Sequence, residues 1–266
     1  MGRIVIDRDV CKGCYLCVKA CPKGLLKKST EPNLHGDFPV EFDNKDNACI
    51  GCAMCAMNCP DVAIREVYLR SGLRGLLSVS TMDDSNLPES IRQNTAEAVE
   101  ATDRLYEAYH GKGNLKVAYS LRSLLSCSED LIRMTADHAQ ERNALLQAHM
   151  NEYPNEINGS LQKHKLHPFE YLDQLGVLNE RFLAAHCILL SEREKELLKE
   201  RSVQVCHCPF SNCGKGIPDT PSLLEKGIRV ALGTDGAAHG GLSLWNEMKI
   251  FRSVMNAGIN KTVHQY

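Results

Sequence analysis

Two unlike modules are predicted in this chain of 266 residues. Residues 1–68 read as a small α+β module built on two cysteine-rich loops. Residues 69–266 read as an α/β module, an incomplete barrel of the TIM type. Three observations carry that reading. A twelve-residue cysteine run occurs twice before residue 61. Beyond residue 70, short apolar segments alternate with helical patterns six times, the signature of a parallel sheet. Four of those segments end in polar residues able to do chemistry, where barrels of this type carry their sites.

The runs are Cys11-Lys-Gly-Cys14-Tyr-Leu-Cys17-Val-Lys-Ala-Cys21-Pro22 and Cys49-Ile-Gly-Cys52-Ala-Met-Cys55-Ala-Met-Asn-Cys59-Pro60, 38 residues apart. Both read C-x2-C-x2-C-x3-C-P, the spacing of bacterial two-cluster ferredoxins. Three thiolates spaced by two residues converge on one face of an iron–sulfur cube. The fourth lies a helical turn further on, serves the other cube, and is kept from folding back by the proline. Two [4Fe-4S] clusters are therefore expected, one on Cys11, Cys14, Cys17 and Cys59, the other on Cys49, Cys52, Cys55 and Cys21. Structural zinc sites pair two C-x2-C knuckles instead. A disulfide framework does not suit a chain that starts Met1-Gly-Arg-Ile-Val-Ile-Asp7, without an apolar signal core.

Within this module, residues 3–7 and 38–42 alternate as strands leading into the loops, and residues 62–67 read as a closing strand. Gly13 and Gly51 allow tight turns close to the sulfurs. Ile50, Met54 and Met57 are expected to exclude water, which together with backbone N–H groups aimed at sulfur tunes a cluster's potential. Residues 1–68 resemble the ferredoxin-like small subunit of 2-oxoacid:ferredoxin oxidoreductases. The resemblance implies one-electron transfer to or from a redox partner protein, an oxidoreductase or an electron carrier.

Composition narrows the alternatives. A net charge of −2 offers no handle for nucleic acid, and no apolar run approaches the about 18 residues of a membrane span. Thiolate-rich loops point to a reducing cytoplasm. The remaining cysteines, Cys127, Cys187, Cys206, Cys208 and Cys213, sit among apolar neighbours and read as core thiols.

In the second module, strands are expected at 75–79, 115–120, 145–149, 182–186, 203–207 and 228–233. A helix is expected from Pro88 to His110. Another runs from a Ser126/Glu129 capping box to Asn143, a third follows a Ser191/Glu194 capping box, and a fourth starts at Thr220-Pro221. The strand ends carry His149 with Glu152, then His186, His207 and Asp235. A lone histidine is more often structural than catalytic, but four successive strand ends are hard to dismiss.

The segments His149-Met-Asn-Glu152, Ala185-His186-Cys187, His207-Cys-Pro-Phe-Ser-Asn212 and Leu232-Gly-Thr-Asp235-Gly236 resemble the late motifs of the amidohydrolase superfamily, in its deaminase and chlorohydrolase branch. Pro168 to Leu178 is similar to the same branch, and the likeness runs from about Ser71 to about Phe251. It implies a Zn²⁺ or Fe²⁺ ion and hydrolysis of a C–N or C–Cl bond on a purine-, pyrimidine- or triazine-like ring. It also implies that His149 and Asp235 bind the metal, Glu152 shuttles protons, His186 polarises the substrate and His207 contacts it.

The family's first strand ends in His-x-His, which this chain lacks. His164-x-x-His167 lies on a polar stretch that reads as surface, and Leu121-Arg122-Ser123 stands where the branch commonly has a histidine. Two protein ligands predict a loosely held metal and deaminase activity that is absent or very weak. Open parallel edges predict self-association. Three functions therefore compete: electron transfer, metal-dependent hydrolysis, and a binding role for the barrel remnant, to which Cys206-His207-Cys208 would add only a weak metal site.

Overall fold

A computed structural model describes residues 4–44, 46, 48–50, 54–57, 59, 74–236 and 243–258. The chain divides into two compact units, residues 1–79 with 101–118, and residues 80–100 with 119–266. The expected boundary at residue 68, the strand at 62–67, Gly51 and Cys52 lie outside the described residues.

In the first unit, β1 (Leu26–Lys28) and β2 (Val40–Phe42) form an antiparallel ribbon with Leu26 opposite Phe42. β2 falls inside the expected 38–42 segment. β1 was not expected, because Leu-Lys-Lys carries no readable alternation. Two short helices, α1 (Leu16–Ala20) and α2 (Met54–Met57), each start inside a cysteine run. Gly13 has φ +64°, and a side chain there would bring Cβ to 2.7 Å from the Phe38 carbonyl oxygen, so the loop requires glycine. Ile4, Cys11, Cys17, Leu26, Val40 and Ala56 form the buried core, with Cys21, Cys55 and Cys59 packed on it. Ile50 and Met54 are 64 % and 37 % exposed and do not shield the sulfurs as the sequence suggested. The same unit holds a parallel pair, β3 (Gly75–Leu77) with β4 (Leu115–Val117), whose Leu77, Leu115 and Val117 pack on Leu105 of α3 (Thr95–Tyr109).

Helix α3 starts at Thr95, not at Pro88. Pro88 lies in a turn, and the Asn94 side chain accepts the Glu97 N–H at 3.2 Å. A cap that satisfies an orphaned N–H outweighs the preset φ of proline.

The second unit is a five-stranded parallel sheet in chain order: β5 (Tyr119–Ser123), β6 (Leu146–Met150), β7 (Phe182–His186), β8 (Gln204–His207) and β9 (Val230–Leu232). Five of the six expected strand segments of the second module have their counterpart here or in β4, and the sixth is β3. Among the described residues the sheets do not close into a barrel. Burial alternates along each central strand. Leu146, Ala148, Met150, Phe182, Ala184, His186, Val205 and His207 are buried, while Gln147, His149, Leu183, Ala185, Gln204 and Cys206 are half-buried. A closed barrel would fill its interior with the second set.

The helices of this unit are α4 (Glu129–Glu141), α5 (Pro154–His164), α6 (Pro168–Gln174), α7 (Glu192–Glu200), α8 (Pro209–Cys213), α9 (Thr220–Glu225) and α10 (Leu244–Gly258). Helix α4 is capped by Ser128, whose Oγ accepts the Leu131 N–H at 3.1 Å. Ser126 Oγ turns instead to the Ser123 carbonyl, and Glu129 pairs with Arg133, so the expected capping box does not form. The Ser191/Glu194 box at α7 does form, at 3.2 and 2.9 Å. Glu194 is fully buried. Its second oxygen accepts from Asn151 Nδ2 at 3.0 Å and from the Phe169 N–H at 3.2 Å. One carboxylate thereby ties the end of β6, the start of α6 and the start of α7. Of the five cysteines read as core thiols, Cys127, Cys187 and Cys208 are buried and Cys206 is half-buried, but Cys213 is exposed. No described helix is long and apolar enough to cross a membrane.

Candidate active site at the strand ends

Parallel strands of similar length put their carboxyl ends on one rim. Glu152 follows β6 by two residues, His186 ends β7, His207 ends β8, and Asp235 follows β9 by three. Asn151, His186, Cys187 and Asp235 all have left-handed backbones, with φ between 51° and 71°. Such conformations cost on the order of 1 kcal/mol each or more in non-glycine residues, and they concentrate where function fixes the geometry.

Three of the sequence-predicted residues meet. Ligand atoms of Glu152, His186 and Asp235 all lie within 4.8 Å of one another. His186 Nε2 is 3.6 Å from Glu152 Oε1. The His149 ring lies beside that of His186, centroids 5.2 Å apart, but outside the group of three. Burial, then His186, then Arg122 hold the His149 pKa down at about 4. The neutral ring keeps a lone pair at neutral pH. Arg122, where a histidine had been looked for, is exposed and adds positive charge beside His149.

His207 is placed behind this group, 2 % exposed. Asn212 Nδ2 donates to His207 Nδ1 at 2.7 Å, and Asn212 Oδ1 accepts from His186 Nδ1 at 2.9 Å. That bond leaves His186 Nε2 directed at the carboxylates. Burial and the neighbouring His186 push the His207 pKa down to about 4, so the ring stays neutral.

Sequence reasoning missed Lys215 and Ser211. Lys215 Nζ donates to Glu152 Oε1 at 2.6 Å and to Ser211 Oγ at 2.7 Å, and lies 3.9 Å from Asp235 Oδ2. Ser211 Oγ also donates to Asp235 Oδ2 at 2.5 Å. Burial is the largest single influence on Lys215 and opposes its charge, but the bond to Glu152 together with the charges of Glu152, Tyr153 and Asp235 outweighs it and raises the pKa. The available signal was the four-residue spacing from Ser211 to Lys215, about one helical turn. His164 and His167 do not pair: His164 stacks on Tyr171 at 3.6 Å between centroids, and His167 Nδ1 faces Glu194 at 3.7 Å.

One imidazole and two carboxylates are a donor set for a divalent ion such as Zn²⁺. The Asn212 carbonyl fixes the imidazole as outer partners of metal ligands do. The residues fit such an ion, provided the Lys215 ammonium moves aside.

In the first unit the sulfurs crowd one another. Burial, then Cys59, Cys11, Cys14 and Cys55, push the Cys17 thiol up to about 12. The Leu25 N–H donates to Cys21 Sγ at 3.4 Å.

Comparison with known proteins agrees with both halves. Residues 10–64 match a 4Fe-4S dicluster domain, and residues 50–262 match the amidohydrolase family. The chain is 36 % identical over 184 residues to a 5'-deoxyadenosine deaminase of Methanothermobacter thermautotrophicus, covering 67 % of this chain and 42 % of that protein. It is 31 % identical over 194 residues to a 5-methylthioadenosine/S-adenosylhomocysteine deaminase of Thermoanaerobacter pseudethanolicus, covering 71 % and 44 %. A guanine deaminase structure from C. acetobutylicum with bound guanine superposes with a TM-score of 0.69 at 27 % identity, covering 74 % of this chain and 49 % of that one. An adenosine deaminase structure from Xanthomonas campestris with bound zinc shares the fold, with a TM-score of 0.70 at 24 % identity, covering 76 % and 46 %. The chain thus spans less than half the length of each of these relatives. It belongs to the amidohydrolase family, and a 4Fe-4S dicluster domain stands at its N-terminus.

Proposed function

We propose that the strand-end group is a metal-dependent aminohydrolase site acting on the exocyclic amine of a purine-type ring. The observation that carries this is the meeting of Glu152, His186 and Asp235 within 4.8 Å at the rim of the sheet. Deaminases of adenosine derivatives and of guanine among the relatives support the substrate class. Asp235 and His186, with His149 beside them, are the residues that would hold a divalent ion. When bound, that ion would acidify water and act as a Lewis acid. In hydrolytic deamination the oxygen of water joins the ring carbon, the C–N bond breaks, and ammonia leaves as a ring carbonyl forms. Glu152 is positioned to carry the proton that the water loses to the departing amine. Asn212, held by His207, keeps His186 in one tautomer. The test is ammonia release from adenosine, 5'-deoxyadenosine, 5-methylthioadenosine and guanine with added Zn²⁺ or Fe²⁺. Release that vanishes in Asp235→Asn is expected. No release above background from any of the four substrates would overturn the reading.

A second activity is favoured by the grouping around Cys17. Its strongest sulfur neighbour is Cys59, from the far end of the second run, ahead of Cys11 and Cys14. That order supports a cluster on Cys11, Cys14, Cys17 and Cys59; the partner cluster on Cys49, Cys52, Cys55 and Cys21 rests on the spacing of the two runs. Two [4Fe-4S] clusters would pass single electrons to a redox partner protein.

A further inference from the structure

We propose that Lys215 is a built-in counter-cation. Its ammonium holds Glu152 and Asp235 together in the metal-free chain and must leave before a divalent ion can bind. The proposal rests on the reading of this group as a metal site. Two carboxylates whose oxygens lie this close repel each other unless a cation sits between them. The cation present is Lys215 Nζ, 2.6 Å from Glu152 and 3.9 Å from Asp235, on a side chain only 10 % exposed. Ser211 completes the cradle, donating to Asp235 and accepting from Lys215.

The backbone beneath the lysine is anchored independently of its side chain. The N–H groups of Lys215 and Gly216 both donate to the Asn212 carbonyl, at 2.8 and 2.9 Å. A Cβ on Gly216, whose φ is +158°, would meet Ile188 at 2.8 Å. Four rotatable methylenes can carry the ammonium out of the cradle without moving that anchor. A divalent ion on Asp235 would share that carboxylate with the Lys215 ammonium, which lies 3.9 Å from it, and the two cations repel, so one excludes the other. Metal affinity is then set by a competition inside the chain as well as by the ligands.

The proposal predicts effects of opposite sign from one substitution. In the cluster-loaded full chain, Lys215→Met should lower the melting midpoint of the zinc-free protein. It should also tighten Zn²⁺ binding by calorimetry at least ten-fold, with binding in Asp235→Asn subtracted to remove sites elsewhere. Lys215→Arg, which keeps the charge, should leave the affinity within about three-fold of the parent. If Lys215→Met misfolds, Lys215→Gln takes its place with the same expectation. A lysine that merely props the fold would lose stability and zinc affinity together. Equal or weaker zinc binding in Lys215→Met, with binding still abolished by Asp235→Asn, overturns the competition and leaves the metal reading intact. No Asp235-dependent zinc binding in the parent or in either uncharged variant overturns both.

Discussion

Cys11, Cys14 and Cys17 are near neighbours in the chain, and one loop with one short helix brings them together. Glu152 and Asp235 are more than 80 residues apart and meet only because four parallel strands stand in register. Three of the first site's ligands need little beyond a glycine at Gly13, and only its expected fourth, Cys59, comes from the second run. The second needs a scaffold, and much of that scaffold is Glu194, which fixes Asn151 one residue before Glu152. Sites made from a short run are robust to distant change, whereas sites made from strand ends inherit the stability of everything that aligns the strands.

The largest expected effect tests whether the two regions are independent. Glu152→Gln should cut ammonia release about a thousand-fold, the usual contribution of a positioned proton carrier, with iron content unchanged. If the iron falls as well, the regions are coupled and the comparison fails. Cys14→Ser is the reciprocal change. It should lower iron from about eight to about four per chain, since each cube takes three ligands from its own run. Ammonia release should hold, and loss of both clusters would show that the halves do not assemble separately.

Glu194→Ala sharpens the scaffold half of the comparison. It leaves one N–H of the Asn151 amide and the Phe169 and Ser191 N–H groups without their acceptor, at a cost of about 3 kcal/mol. The second unit should melt earlier in calorimetry while the spectrum of the clusters stays the same. An unshifted midpoint would mean that the strand ends are aligned by something other than this carboxylate.

The most gradual effect is a dependence on pH. Burial first, and the nearby Glu152 and Glu194 carboxylates after it, raise Glu156 from 4.5 to about 7, against the N–H groups that donate to it. The folded chain therefore holds a proton that the unfolded chain gives up between pH 4.5 and 7. The contribution of Glu156 is fully present below about 4.5 and declines as pH rises to about 7, at no more than about 1.4 kcal/mol per unit. Glu156→Gln should flatten that decline in denaturant titrations across this range. A slope identical to the parent's would assign the proton to another group.

What could be read from the sequence follows the same divide. The Ser191/Glu194 box was legible because both partners lie within four residues. His186 and Asp235 were legible as strand ends, because short, nearly continuous apolar segments mark where a buried strand stops. The start of α3 was misplaced because Pro88 and Asn94 both resemble helix starts and only the fold decides which N–H groups need a cap. Ser128 displaced Ser126 at α4, where Asp83 accepts from both the Ser128 N–H and its Oγ, at 2.7 and 2.6 Å, a partner 45 residues away. Lys215 was invisible for the same reason: its partner Glu152 lies 63 positions earlier. Its role exists only once β6 and α8 share a rim.

The strand order β5-β6-β7-β8-β9 follows the order of synthesis. As each strand emerges, its neighbour is already in place, so no segment of the sheet must wait for a partner made much later. Such pairing keeps sequence separations short for a parallel sheet and limits the time that an unpaired edge is exposed to other chains. Nascent chains halted after β7 should already protect the backbone amides of β6 from exchange. The carboxylate pair, by contrast, can be completed only when Asp235 arrives, after β9.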